Sequence, residues 1–204
     1  MALAFGLLAA ATSASAHRRD EYLQAAYIAI DPDLVRIELD LTPGITVADD
    51  VLSHIDRDHD GSISPGEGNV YVDGVLAGLT LDVDGTPLAV RVVDRTFPSV
   101  DALRRGEGTI RVDVTATLPR LAAGAHRLRY RNSHRGDIGV YLANALVPTS
   151  DRIAVTGQRR DVDQRALEVA FTAAPPPRHH TLWALATGLS AVMAAALCGV
   201  RRMA

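Results

Sequence analysis

The sequence predicts a mainly β fold, an antiparallel β-sandwich carrying a helical insertion. Three observations predict it. Short stretches of alternating apolar and polar residues recur through the middle of the chain, separated by turn residues. One stretch breaks this period of two and takes up helical spacing around an acidic run. Two uncharged apolar segments, 1–16 and 181–200, bracket the patterned region, so residues 17–174 are left to build one core.

The strands follow in order. Leu34 to Leu41 (LVRIELDL) alternates cleanly. Leu79 to Val83 alternates and runs into Asp84-Gly85, a two-residue hairpin signal, with Leu88 to Val93 as the returning strand. Thr109 to Leu118 and His126 to Arg131 alternate again. Ile138 to Val147 is more continuously apolar, as in a strand buried on both faces. Arg152 to Thr156 and Ala166 to Phe171 complete a set whose spacing suggests an immunoglobulin-like sandwich.

The insertion spans 46–79. Val47, Val51, Leu52 and Ile55 recur at helical spacing before the acidic run, and Val70, Tyr71, Val75 and Leu79 after it. Between them stands Asp56-Arg57-Asp58-His59-Asp60-Gly61-Ser62-Ile63-Ser64-Pro65-Gly66-Glu67. A hard divalent cation takes six to eight oxygen ligands, several of them anionic. Asp56, Asp58 and Asp60 supply three carboxylates, and Gly61 permits the sharp bend. Ser62 would add its carbonyl, Ser64 would act directly or through water, and Glu67 would close the shell with both oxygens, which favours calcium over magnesium. Ser64, Pro65 and Glu67 also read as N-cap, first helical residue and third residue of a capping box. Gly66, Gly68 and Gly74 each weaken the second helix by about 1 kcal/mol relative to alanine. Asp82-Val83-Asp84-Gly85 lacks a closing glutamate and reads as a hairpin, and Asp161-Val162-Asp163 reads as a solvated turn, so a single acidic loop is expected.

The ends suggest export and anchoring. Residues 1–16 read as a signal peptide with a small-x-small site at Ala14-Ser15-Ala16, although no basic stretch precedes the apolar core; cleavage would leave His17 first. Thr181 to Val200 is long enough for a bilayer span, with Trp183 at one edge and Arg201-Arg202 beyond it on the expected cytoplasmic side, as the tail 201–204. Residues 175–180 form the linker, stiffened by its prolines. The expected location is therefore the cell membrane, single-pass, with the N-terminal domain extracytoplasmic. Cys198, the sole cysteine, falls inside the span, so the exported body has no disulfide. A net charge of −3 with no basic cluster excludes nucleic acid as a partner.

Other chemistry is thin. His17, as a free terminus, and His59 are the nitrogen donors open to a transition metal; His54 lies five residues from His59 and off its helix face. His126 and His134 read as solvent-facing residues of strands. No G-x-S-x-G elbow occurs, and Ser133, His134 and Asp137 sit in one turn rather than converging from distant segments. No catalytic residue is expected. Arg131, Arg135, Arg159 and Arg160 read as partners in surface ion pairs.

The helix-loop-helix of 46–79 resembles the EF-hand superfamily. More widely, DVDGTPL, YRNSHRGDIGVYLANALVP (Tyr130 to Pro148) and TGQRRDVDQR (Thr156 to Arg165) look similar to exported bacterial EF-hand domain-containing proteins, and the layout is shared with soluble domains of nickel/cobalt permease-type proteins. The resemblance implies calcium as the bound ion and no catalytic residue; transport does not carry over. A lone loop of this kind is expected to bind weakly, at about 10⁻⁴ to 10⁻³ M, as extracellular modules do. The expectation is a membrane-anchored calcium-binding accessory module. The alternative is a metal-homeostasis domain presenting nickel, cobalt or copper to a membrane-protein partner.

Overall fold

The computed structural model describes residues 21–175. The expected signal peptide, His17, the span 181–200 and Cys198 lie outside the described residues. Within them no helix is long and apolar enough to cross a membrane.

Among the described residues, ten strands form two five-stranded sheets. β1 (Tyr22–Ile30), β2 (Leu34–Pro43), β5 (Val90–Thr96), β6 (Ile110–Thr117) and β8 (Gly139–Ala145) make the first, in the order β5-β6-β2-β1-β8. β3 (Leu79–Val83), β4 (Thr86–Pro87), β7 (Gly124–Asn132), β9 (Ile153–Arg160) and β10 (Ala166–Ala173) make the second, in the order β4-β3-β7-β10-β9. Alternation explains the layering. Val35, Ile37, Leu39 and Leu41 of β2 and Ile110, Val112, Val114 and Ala116 of β6 turn inward, while Arg36, Glu38, Arg111 and Asp113 line the other side. Leu128 and Tyr130 of β7 and Leu167, Val169 and Phe171 of β10 meet them from the second sheet in one continuous core. A fully buried Ile, Leu or Phe contributes about 1.5–3 kcal/mol to such a core.

The sheets are not wholly antiparallel. β1 pairs with β8 in parallel, Tyr22 opposite Gly139 through Ile28 opposite Ala145. β1 itself went unread in the sequence, because a strand inside a sheet with Ala25 and Ala26 both buried does not alternate. The Asp84-Gly85 turn is present, with φ of 51° and 81° at its two central residues, as a type I′ turn requires. Its return is cut short: Thr86–Pro87 pairs back on β3, Leu88 N–H adds a bond to Leu81 O at 2.8 Å, and the chain then crosses to the other sheet as β5, against β6. Ile138 to Val147 is not a strand buried on both faces. Tyr141 and Ala143 are buried, but Leu146 and Val147 are exposed.

The exposed edge of β8 is covered by side chains from β9. The Gln158 amide accepts from Ala145 N–H at 3.1 Å and donates to Ala145 O at 3.2 Å, and Arg160 Nε donates to Ala143 O at 2.7 Å. Two side chains thus stand in for a missing strand.

The registers give the body two ends. At one end β2 leads into helix α1 (Ala48–Ile55), the acidic loop and helix α2 (Pro65–Ala77), which returns to β3; a short helix α3 (Val100–Arg104) and the loop 133–138 lie there too. At the other end lie the turn 31–33, the loops 118–123 and 146–152, and the exit of the chain after β10.

Candidate metal centre

The acidic loop is organised by its own backbone. Asp56 caps α1, its N–H bonding Leu52 O at 2.8 Å, and the residue is 3 % exposed. Asp60 N–H donates to Asp56 Oδ1 at 3.1 Å and Gly61 N–H to Asp56 Oδ2 at 3.1 Å. Asp60 N–H also reaches Asp58 Oδ1 at 3.2 Å, and Ser62 N–H and Oγ donate to Asp60 Oδ1 at 2.8 and 2.7 Å. Gly61 takes φ of 82°, where a side chain would strain the bend. His59 also has positive φ, at 59°, which turns the chain between the carboxylates. The outcome is that one oxygen each from Asp56, Asp58 and Asp60 lies within 4.8 Å of the others. Ile63 ties the loop down by packing against the core.

Ser64 and Glu67 form the expected capping box. Glu67 N–H donates to Ser64 Oγ at 3.3 Å, Ser64 N–H donates to Glu67 Oε2 at 3.0 Å, and Pro65 opens α2. Glu67 reaches further. Its Oε1 accepts from Arg57 N–H at 2.7 Å, so one side chain ties the start of the loop to its end. These donors, first the N–H and hydroxyl of Ser64 and then the N–H of Arg57, hold the Glu67 carboxyl down to about 2. Glu67 lies outside the 4.8 Å group of aspartate oxygens, and N–H and O–H groups occupy both of its own.

The donor set fits a hard cation. The gathered donors are carboxylate oxygens, the loop has no thiolate, and His59 is exposed in the turn. Asp56, Asp58 and Asp60 are the residues already gathered. Ser62, Ser64 and Glu67 are the ones that would complete the shell.

The surroundings anchor this unit to the sheets. The hydroxyls of Tyr71 on α2 and Tyr22 on β1 are hydrogen-bonded in the buried interior. His134 packs edge-on against both rings, at 6.2 Å from Tyr22 and 5.6 Å from Tyr71. Beneath it lies a closed polar set: Asn132 Nδ2 donates to Gln24 Oε1 at 2.9 Å, Gln24 Nε2 to His134 O at 2.8 Å, and His134 N–H to Asn132 Oδ1 at 2.9 Å. Arg135, with φ of 48°, bridges Asp137 in its own loop and Asp50 on α1. The loop between β7 and β8 therefore grips both helices. The apolar face of α2 is Gly68, Tyr71, Val72 and Val75; Val70 is 50 % exposed, and Leu79 begins β3. None of Tyr22, Gln24, Asn132 or Arg135 was singled out from sequence as part of this region's support. A glutamine inside the apolar run YLQAAYIAI was the available signal.

The histidines depart from expectation. His126 is not solvent-facing: it packs on Phe171 at 5.6 Å, bonds Asp84 at 2.7 Å and engages Ala122 O at 2.8 Å. His134 is held between rings as described. Ser133 donates its hydroxyl to Gly78 O at 3.0 Å and Asp137 is taken by Arg135, so Ser133, His134 and Asp137 make no nucleophile-base chain. Arg131 pairs with Asp161 at 3.9 Å and Arg159 with Glu168 at 3.3 Å, as surface ion pairs. Arg160 instead serves the β8 edge. Compared with known proteins, the chain matches no family model and no curated protein.

Proposed function

We propose that this protein is a membrane-anchored, extracytoplasmic calcium-binding module on an immunoglobulin-like sandwich, with an EF-hand loop as a structural calcium site. One observation carries the reading. The backbone N–H groups of Asp60, Gly61 and Ser62 turn the carboxylates of Asp56 and Asp60 into place, and three aspartate oxygens gather within 4.8 Å. Three like charges held together with only N–H and hydroxyl donors are a costly arrangement that a divalent cation would relieve. When bound, the ion would supply the positive charge that the loop lacks. Asp56, Asp58, Asp60, Ser62, Ser64 and Glu67 would hold it.

The role follows from the support. α1 and α2 are tied into both sheets through Tyr71, Arg135 and their partners, which suits a fixed brace better than a pair of helices that swing open. A cation that binds the folded loop and not the open chain stabilises the fold by mass action. The apolar run of 181–200 is the anchor in this reading, and a membrane-protein partner the expected reader of the module.

The test is thermal unfolding of the full chain in detergent, with millimolar calcium and with chelator. Calcium should raise the midpoint by several degrees, more than equimolar magnesium does. An unchanged midpoint, or an equal response to nickel through His59, would refute the calcium reading.

A further inference from the structure

The end of the body opposite the acidic loop carries apolar side chains that the core does not use. Val147 is 89 % exposed and Leu146 is 43 % exposed. They stand at the tip of the loop following β8 and border a surface recess of roughly 390 Å³ whose floor mixes Tyr27, Ala29 and Val93 with the charged Arg36, Glu38 and Asp113. The loop is fixed in place: Leu146 N–H bonds Ile28 O at 2.8 Å. The chain leaves the body at this same end, where Ala174 N–H bonds Arg152 O at 2.7 Å. The uncharged run Thr181 to Val200 begins seven residues later, after 174–180. At about 3.3 Å per extended residue, such a spacer reaches no farther than about 23 Å.

We propose that Leu146 and Val147 seat on the headgroup–acyl boundary of the bilayer that anchors the chain, which turns the acidic loop away from the membrane. This rests on the anchored reading above. The partner is lipid because the chain exit holds this end within a spacer's length of the bilayer. Its mechanism is apolar insertion, because exposed Arg120, Asp33 and Asp151 at this end leave no single-sign field for anionic lipid. Seating therefore persists on zwitterionic lipid and at high salt.

The experiment uses the full chain with Cys198→Ser, carrying a fluorophore at Val147→Cys or, as the far-end control, at Val70→Cys on α2. Both positions are exposed, so neither substitution disturbs the core. Phosphatidylcholine vesicles with a shallow spin-labelled lipid should quench the Val147 label several-fold more than the Val70 label. Equal quenching in a chain that floats with the vesicles overturns the seating and leaves the anchor standing. A chain that does not float overturns both. An unlabelled Val147→Cys chain that oxidises to a disulfide-linked dimer, without lipid quenching, makes a second copy the occupant and overturns the lipid assignment.

Discussion

Tyr22 and Tyr71, 49 residues apart in sequence, join hydroxyl to hydroxyl inside the protein and so tie α2 to β1, an interior strand of the first sheet. Burial raises the titration of both phenols, so both stay protonated across the working range. Tyr71 has a second neighbour in His134 Nε2 at 3.4 Å; the Tyr22 hydroxyl has no other hydrogen-bond partner among the described residues. Tyr71→Phe, which strands the Tyr22 hydroxyl in a dry site, should therefore cost about 1–3 kcal/mol, and Tyr22→Phe less. Urea unfolding of the two variants checks the order. Equal losses would mean that His134 does not compensate the Tyr71 hydroxyl.

Two glycines of α2 should respond in opposite directions to the same substitution. A Cβ at Gly68 would meet Phe97 Cε2 at 2.9 Å, whereas one at Gly74 would meet nothing within 4 Å. Gly74→Ala should stabilise by up to about 1 kcal/mol through helix propensity. Gly68→Ala should destabilise by about 1–3 kcal/mol despite the same propensity, because the α2–Phe97 contact must open. Denaturant midpoints decide it, and Phe97→Leu should rescue Gly68→Ala.

Acid should weaken the fold through His134. Burial, reinforced by the charge of Arg135, lowers its titration to about 4. The unfolded chain takes up this proton near the ordinary value of about 6.5. Between those values the unfolded state binds more protons, so stability falls as pH drops from about 6.5 to about 4 and levels off below. The loss is about 3 kcal/mol at most. His126 has the opposite sign: its bond to Asp84 raises it, so its contribution is full below the unfolded value and fades as pH rises through the folded one. Urea unfolding at steps from pH 4 to 8 should show a slope over the acid limb that His134→Gln flattens and His126→Gln leaves in place.

Glu67 caps a helix and, in the proposed function, holds an ion; substitution can separate the roles. Glutamine keeps the capping-box hydrogen bonds but not the second anionic oxygen. Glu67→Gln should leave calcium-free stability within about 1 kcal/mol of the parent and sharply reduce the calcium-induced rise in melting temperature. Ser64→Ala should lower calcium-free stability by about 1 kcal/mol through the lost cap. Asp56→Ala should abolish the calcium response. A full calcium response in Glu67→Gln would exclude Glu67 from the shell.

Gln158 guards an edge more than it stabilises a core. Its amide satisfies both backbone groups of Ala145. Gln158→Ala should cost no more than about 1 kcal/mol, yet raise self-association as the β8 edge becomes free to pair. Light scattering against concentration reads the effect, and unchanged scattering would assign the guarding to Arg160 alone.

The local features were legible in the chain by itself. The period of two in β2 and β6, the Asp84-Gly85 turn, and the Ser64-Pro65-Glu67 helix start are each set by neighbours within a few residues, where sterics and short hydrogen bonds dominate. The gathering of Asp56, Asp58 and Asp60 belongs with them, because N–H groups two to five positions away aim their carboxylates. What the tertiary structure decided lies between residues far apart: the parallel β1–β8 pair, the crossover of β5 after Pro87, and the Gln24–Asn132–His134 set. The same holds for Gly68, a weak helix residue by propensity whose missing side chain admits Phe97, and for His126, packed on Phe171 and half-buried. Propensity and pattern act along the chain. Close packing and the cost of an unpaired buried polar group act across it, and those choose the partners.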